Sequence, residues 1–132
     1  MIVVDTSALI AIIEGEEDAP IFAKAIAEAN PPFISAGTLI EAGIVVFNRH
    51  GVAGGRLLDE MIIDGGFRIE SVTAHQAQRA REAYARYGKG PKKKDLNYGD
   101  CFSYALAKAT NLPLLFKGKD FPLTDIDLVL PP

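Results

Sequence analysis

The chain has 132 residues, 48% of them hydrophobic, which suits one compact domain over residues 1–132 and argues against two independently folded units. The sequence shows no signal-peptide pattern and no apolar run of membrane-spanning length, and the lone Cys101 cannot form an internal disulfide, so we expect a cytoplasmic protein. The net charge of −3 argues against a nucleic-acid partner until the charges are located along the chain.

The first half of the sequence alternates between apolar runs of strand length and patterns of helical period. The first run is continuous and apolar, as in a strand covered on both faces, and a helical pattern follows it directly. Asp18 and Pro20 mark the start of the next helix, Pro31 and Pro32 its end, and Gly51 is well placed to terminate a later one. The predicted elements are strands over 2–4 and 33–35 and helices over 7–13, 18–30, 36–48 and 55–64.

The second half continues the alternation and contains a basic segment. Thr73 and Gln76 form a capping-box pattern at the start of a helix. Between residues 79 and 94 lie seven of the fourteen basic residues against the single acid Glu82, so this segment carries +6 and the remainder of the chain −9. The predicted elements are a half-buried strand over 67–70, helices over 74–87 and 97–110, and strands over 114–116 and 126–130.

This order of elements predicts an α/β fold in which helical layers enclose a largely parallel sheet. In such a sheet the ligand site lies outside the carboxyl ends of the strands, and Asp5 occupies such an end, although it could merely cap the helix that follows. Glu41 is the only charged residue between Glu28 and Arg49. A carboxylate on a mainly buried helix requires a cation, a hydrogen bond or a raised pKa, so Glu41 is a second candidate.

Two further acids belong to the same end of the predicted sheet. Asp100 follows the basic segment at the start of a helix, and Asp120 follows the strand over 114–116. Each has an ordinary structural alternative. Asp100 could be the capping-box partner of Asn97, and Asp120 could be a solvated loop acid like its neighbours Asp125 and Asp127.

Carboxylates that converge without Cys or His form a site of hard oxygen ligands, which suits Mg²⁺ or Mn²⁺ rather than zinc. Without a cation such carboxylates would repel one another and raise one another's pKa. A divalent ion can also generate hydroxide near neutral pH, hold a scissile phosphate and stabilise the departing oxygen. The predicted chemistry is therefore cleavage of phosphodiester bonds.

Four parts of the sequence carry a family resemblance: VVDTSAL at 3–9, Glu41 within a helix, LNYGDCFSYA at 96–105 and PLLFKGKDF at 113–121. Together they resemble the PIN-domain ribonucleases of the VapC toxin type, over essentially the whole chain. The resemblance implies a three-layer α/β/α sandwich, Mg²⁺-dependent endonuclease activity on RNA, a cognate antitoxin and a homodimer. It carries Asp5, Glu41 and Asp100 over as the acids that bind the metal.

The fourth acid departs from the family pattern. Many relatives have a Thr and a further Asp in the segment occupied here by residues 116–118, so the fourth position rests on Asp120 alone. The predicted catalytic and metal-binding set is therefore Asp5, Glu41, Asp100 and Asp120. Whether it holds one ion or two stays open.

The basic segment fits an RNA substrate because lysine contacts to phosphate supply affinity without sequence choice. Tyr87 or Tyr98 could add stacking on an unpaired base. The hydroxyls near Asp5 could orient a water or a phosphate, with helix capping as their alternative role. The predicted RNA contacts are Lys92, Lys93, Lys94, Thr6 and Ser7.

Three other functions compete with this prediction. A metal-free ribonuclease would use His50 and His75 as acid and base, but both occupy helix ends. A phosphotransferase would use Asp5 as a nucleophile, but it would usually have another acid at position 7, where this chain has Ser7. A non-catalytic module that keeps the fold for partner binding would have no physical need for clustered carboxylates.

Overall fold

The computed structural model describes residues 1–88, 96–118, 121 and 124–130. Within these residues the elements are β1 (Ile2–Val4), α1 (Thr6–Ile13), α2 (Ala19–Ala29), β2 (Pro32–Ser35), α3 (Ala36–Asp64), β3 (Arg68–Glu70), α4 (Ala74–Tyr87), α5 (Tyr98–Thr110) and β4 (Leu114–Leu115). The predicted order of strands and helices is confirmed up to β4. None of the helices among the described residues is long and apolar enough to cross a membrane.

The four strands form one parallel sheet in the order β3-β2-β1-β4. β1 pairs with β2 on one side and with β4 on the other, and Val3 aligns with both Phe33 and Leu114. β1 is therefore a central strand. All strands run in the same direction, so their carboxyl ends lie on one side of the sheet. Asp5 follows the carboxyl end of β1 and therefore lies where the loops from the neighbouring strands also emerge.

Alternate side chains of β1, β2 and β4 enter two separate cores. The core shared with α1, α2 and α3 takes Val4, Ile34 and Leu115, and the core shared with α4 and α5 takes Val3, Phe33 and Leu114. Successive side chains of a strand point to opposite faces, so the sheet is covered on both sides. This is the three-layer α/β/α arrangement that the sequence predicted.

The helical run of α3 is interrupted at Gly51. The φ of 64° and ψ of −148° at this residue are not helical. Glycine adopts a positive φ without the steric clash that a side chain would bring. α3 therefore consists of two helical stretches on either side of Gly51, although the second begins before the predicted residue 55. The first stretch carries Glu41.

Three local predictions are wrong. β3 lies at the edge of the sheet, and its Ile69 is 52% exposed instead of facing a core. The strand predicted over 126–130 is a single bridge between Leu114 and Leu128. Thr73 caps α4 by accepting a hydrogen bond from the backbone N of Gln76, but the Gln76 side chain does not complete the capping box. Its buried Oε1 has no hydrogen-bond partner in the part of the chain that is described.

Candidate active site

Asp5 follows β1 directly and is the N-cap residue of α1. Its Oδ2 accepts hydrogen bonds from the Ser7 backbone N at 3.1 Å and the Ser7 hydroxyl at 2.8 Å, and its Oδ1 accepts one from the Ser103 hydroxyl at 2.5 Å. Burial raises the pKa of the Asp5 carboxyl, and the hydrogen bonds from Ser103 and Ser7 offset part of that rise. Asp5 does cap α1, but its second oxygen binds a hydroxyl on a distant helix, which capping does not require.

Glu41 extends from the first stretch of α3 toward α1 and α5. Its Oε1 accepts a hydrogen bond from the Thr6 hydroxyl at 2.6 Å. Its carboxylate also lies so close to Gly99 that a Cβ at that position would overlap it. Burial raises the pKa of Glu41, the Thr6 hydrogen bond lowers it, and the charge of Asp5 raises it further. Glu41 is therefore held by specific contacts and is not simply a solvated acid on a helix surface.

Asp100 lies in the first turn of α5, where it completes the capping box considered from the sequence. The Asn97 Oδ1 accepts a hydrogen bond from the Asp100 backbone N at 2.9 Å, and the Asp100 Oδ2 accepts one from the Asn97 backbone N at 3.0 Å. Asp100 is buried, and it nevertheless borders a cavity that its capping role does not explain.

The structure brings Asp5, Glu41 and Asp100 to the wall of one cavity of about 340 Å³. The three acids belong to the starts of α1 and α5 and to the middle of the first stretch of α3, so residues far apart in sequence converge there. The other charged or polar residues of the wall are Thr6, Ser7, Glu16, Arg49, Asn97 and Lys117. Both hydroxyls singled out from the sequence, those of Thr6 and Ser7, therefore face the same cavity and bind its acids.

Two buried hydroxyls that the sequence did not single out support the acids. Ser103 donates to Asp5, and its Oγ lies 3.2 Å from the Oγ1 of Thr38. Both residues are fully buried. Ser103 follows Asp100 by three positions and Thr38 precedes Glu41 by three, so each shares a helix face with an acid. That spacing of polar residues on mainly apolar helices was the signal that could have identified them.

Lys117 connects the acid cavity to the turn between α1 and α2. Its backbone N donates to the Ser7 hydroxyl at 2.8 Å, and that hydroxyl in turn donates to Asp5. Its ammonium lies 3.2 Å from Glu16 and 3.1 Å from Asp18. The loop that follows β4 is thereby fixed to the first helix, and a positive charge lies at the edge of the acidic cavity.

Four predicted site residues lie outside the described residues: Asp120, Lys92, Lys93 and Lys94. The two histidines of the metal-free alternative are described and make other contacts. The His50 Nε2 lies 2.6 Å from Glu14, and the His75 Nε2 lies 3.5 Å from Arg79. Neither histidine belongs to the described wall of the acid cavity, so that alternative gains no support.

The chemistry of this cavity fits a hard divalent cation. Its described wall offers carboxylates, hydroxyls and an amide, with neither thiolate nor imidazole. Among residues 1–88, 96–118, 121 and 124–130, no three Asp, Glu, His or Cys side chains already lie close enough to hold one ion. The acids instead bind the hydroxyl and backbone groups around them. Burial penalises the ionised forms of Asp5 and Glu41, and a bound cation would relieve that penalty.

Comparison with known sequences identifies the family. The PIN domain model matches residues 2–127. A ribonuclease VapC of Mycolicibacterium smegmatis is 48% identical over 127 residues, which are 96% of this chain and 98% of that protein. Ribonuclease VapC30 of Mycobacterium tuberculosis is 45% identical over 130 residues, which are 98% of this chain and 99% of that protein.

Solved structures share the fold. The crystal structure of Mycobacterium tuberculosis VapC20, described as a sarcin-ricin loop cleaving toxin, has a TM-score of 0.81 at 22% identity and covers 99% of this chain and 100% of that chain. A toxin-antitoxin complex from Klebsiella pneumoniae has a TM-score of 0.71 at 21% identity, with 95% and 93% covered. On the strength of the matched family model and the similar sequences, the chain belongs to the PIN-domain family, among its VapC-type ribonuclease toxins.

Proposed function

We propose that this protein is an endoribonuclease toxin that hydrolyses RNA phosphodiester bonds with Mg²⁺ held by Asp5, Glu41 and Asp100, with Asp120 as the fourth acid. The observation that supports the proposal most is the convergence of the three described acids on one cavity. Each has contacts that restrict its carboxylate, and two have a pKa raised by burial. Such a set is costly to maintain without a cation, so it points to a functional site.

The residues around the acids have distinct roles in this mechanism. Asp5, Glu41 and Asp100 would hold the Mg²⁺, which would lower the pKa of a water and stabilise charge on the departing oxygen. Ser7 and Ser103 bind the two oxygens of Asp5 and fix its orientation. Thr6 holds Oε1 of Glu41, which leaves Oε2 beside Gly99. Burial raises the pKa of Glu41 in the metal-free protein, so a bound cation would favour the ionised form of this carboxylate.

The phosphotransferase alternative gains no support from the surroundings of Asp5. Position 7, where such an enzyme would usually have a second acid, is Ser7, and its hydroxyl donates a hydrogen bond to Asp5. The partner-binding alternative does not account for the cavity acids. The contacts of Asp5 instead resemble those of a metal ligand whose orientation is set by surrounding donors.

The partners of this nuclease are RNA, a cognate antitoxin and a second copy of the chain. The toxin-antitoxin complex that shares the fold supports the antitoxin. The apolar side chains of Ile40, Ile44 and Phe47 support the dimer, because they are 65%, 56% and 59% exposed and recur on one face of α3. Lys92, Lys93 and Lys94 contact RNA phosphates in this proposal. Thr6 and Ser7 act on the RNA indirectly, because their hydroxyls donate to Glu41 and Asp5 in the acid cavity.

The test compares RNA cleavage by the parent protein with cleavage by Asp5→Asn and Asp100→Asn, in Mg²⁺ and in EDTA. Each variant keeps a side-chain acceptor for its helix cap and loses the charge that binds the ion. We expect each to lower the cleavage rate at least about a hundredfold, since loss of a metal ligand removes several kcal/mol of stabilisation. Asp59→Asn, a matched change at an exposed acid of α3, leaves the rate unchanged. Cleavage that survives EDTA, or full activity in both variants, contradicts the mechanism.

A further inference from the structure

A groove of about 640 Å³ runs between α4 and α5 and is mainly apolar. It is larger than the acid cavity and shares one wall residue with it, Asn97. Three aromatic rings and one cation border it. The residues of its wall that bear on its function are Arg81, Tyr84, Asn97, Tyr98, Cys101 and Phe102. The groove is therefore distinct from the acid cavity, and the roles proposed for the acids do not explain it.

The most exposed ring of the groove is that of Tyr98, the first residue of α5. The side chain is 78% exposed, although tyrosine is a large and partly apolar residue. Its ring meets the Phe102 ring edge to face, with centroids 5.1 Å apart and an angle of 81° between the planes. Phe102 is itself fixed against Gly37, where a Cβ would collide with the ring. Tyr98 is therefore supported from one side and open to a ligand from the other.

The position of the groove relative to the acid cavity favours an RNA base as its occupant. Asn97 lines both spaces, and its Oδ1 is bound to the backbone N of Asp100. Tyr98 is thus two residues from an acid of the proposed metal site. A nucleotide next to the scissile phosphate would lie beside the acid cavity, and the groove adjoins that cavity at Asn97.

The charge around the groove also favours RNA. Arg81 belongs to the wall of the groove. A polyanion gains from this charge, whereas a purely apolar partner does not. Single-stranded nucleic acids bind proteins through this combination of a cationic groove with exposed aromatic rings.

We propose that this groove is a base-binding subsite, in which an unpaired base adjacent to the scissile phosphate stacks on Tyr98 while Arg81 neutralises a neighbouring phosphate. The subsite rests on the ribonuclease function proposed above. Of the two tyrosines considered from the sequence, Tyr98 is the one placed for stacking. The Tyr87 ring packs against Tyr104, with centroids 6.1 Å apart, in the core beneath α4 and α5.

The test measures binding of hexaribonucleotides that carry one 2-aminopurine base, placed at each position in turn, in EDTA so that the RNA stays intact. The proteins are the parent, Tyr98→Ala, Tyr98→Phe and the control Ile63→Ala, which alters an equally exposed apolar residue away from the groove. We expect Tyr98→Ala to weaken binding by about fivefold to about 150-fold, the effect of one lost stacking contact. Tyr98→Phe keeps the ring and binds like the parent.

A matched set of RNAs that lack the base at the responsive position tests the stacking itself. In this set the parent and Tyr98→Ala bind equally, because the base that Tyr98 contacts is missing. An equal loss with and without the base overturns the proposal, as does parent-like binding by Tyr98→Ala. A change from dimer to monomer in Tyr98→Ala, measured by light scattering, also overturns it and assigns the groove to a second copy of the chain. If the parent cuts RNA in Mg²⁺ but Tyr98→Ala binds normally, only the subsite fails; if the parent does not cut RNA, the proposed function fails.

Discussion

Replacing Glu41 by Gln tests whether the carboxylate that would bind the metal destabilises the folded protein when no metal is bound. The change removes a charge and keeps the acceptor for the Thr6 hydroxyl, so the packing of α1 against α3 is preserved. The folded-state pKa of Glu41 is raised above its ordinary value of 4.5, so its ionised form opposes folding. That cost is fully present above the folded-state pKa and is absent below the ordinary value. Glu41→Gln therefore stabilises the metal-free protein near pH 8, and the gain disappears near pH 4.

The expected increase in the free energy of unfolding is small because water reaches part of the Glu41 side chain and screens its charge. We expect about 0.5 to 1 kcal/mol, at the lower end of the range for relieving a functional-site penalty. For a chain of 132 residues this raises the melting temperature by about 2 to 4 °C. A bound ion has the opposite effect, because it stabilises the parent more than the variant. With Mg²⁺ at about one hundred times its dissociation constant, the parent gains about 2.7 kcal/mol, and a variant that binds the ion poorly does not.

Thermal unfolding followed by circular dichroism distinguishes these effects. The variant melts above the parent in EDTA near pH 8, the two converge near pH 4, and the order reverses in Mg²⁺. Glu60→Gln makes the same chemical change at an exposed position of the same helix and changes none of these comparisons. If Glu41→Gln melts below the parent in EDTA at both pH values, the carboxylate stabilises the fold and the argument from burial is refuted.

Two further substitutions perturb the same cavity from neighbouring helices. Gly99→Ala places a Cβ where the Glu41 carboxylate lies, so we expect weaker Mg²⁺ binding by calorimetry, while Gly55→Ala, which has open space around its Cα, leaves binding unchanged. Ser103→Ala removes the donor to Oδ1 of Asp5, which raises the pKa of that carboxyl further. We expect the acid limb of its pH–rate profile to move to higher pH.

The outcomes that contradict these two predictions are specific. Unchanged Mg²⁺ affinity in Gly99→Ala would mean that the Glu41 carboxylate does not bind the ion. For Ser103→Ala the matched control is Ser71→Ala at an exposed position, whose pH–rate profile follows that of the parent. An identical profile in both serine variants would show that the Ser103 hydroxyl does not govern the ionisation of Asp5.

The three acids that line the cavity were candidates from the sequence because of their positions along the chain, although Asp100 also had an ordinary explanation as a capping-box partner. Asp5 ends a buried strand, Glu41 is isolated on an apolar helix, and Asp100 follows the basic segment. The order of strands and helices was recognisable for a related reason, since hydrophobic period and helix-capping residues are local signals. Neither kind of signal depends on knowing which elements become neighbours.

The supporting contacts were not recognisable because they depend on that knowledge. Ser103 supports the site only through its hydrogen bond to Asp5, a residue 98 positions away, and a serine within a helix gives no signal by itself. The absence of a side chain at Gly99 matters only because α3 brings Glu41 against it. The exposure of Ile69 likewise follows from the edge position of β3, which local alternation does not encode.

The helix caps explain how the acids coexist in the metal-free protein. Asp5 caps α1, and Asp100 completes the capping box of α5. The N-terminus of a helix carries a partial positive charge, so both carboxylates lie where backbone dipoles offset part of their repulsion. Capping and metal binding are therefore not competing explanations for these residues. The caps hold both carboxylates in place in the metal-free protein, and their charge would remain available to the proposed ion. Asparagine at either position separates the two roles, because it preserves the cap and removes the charge.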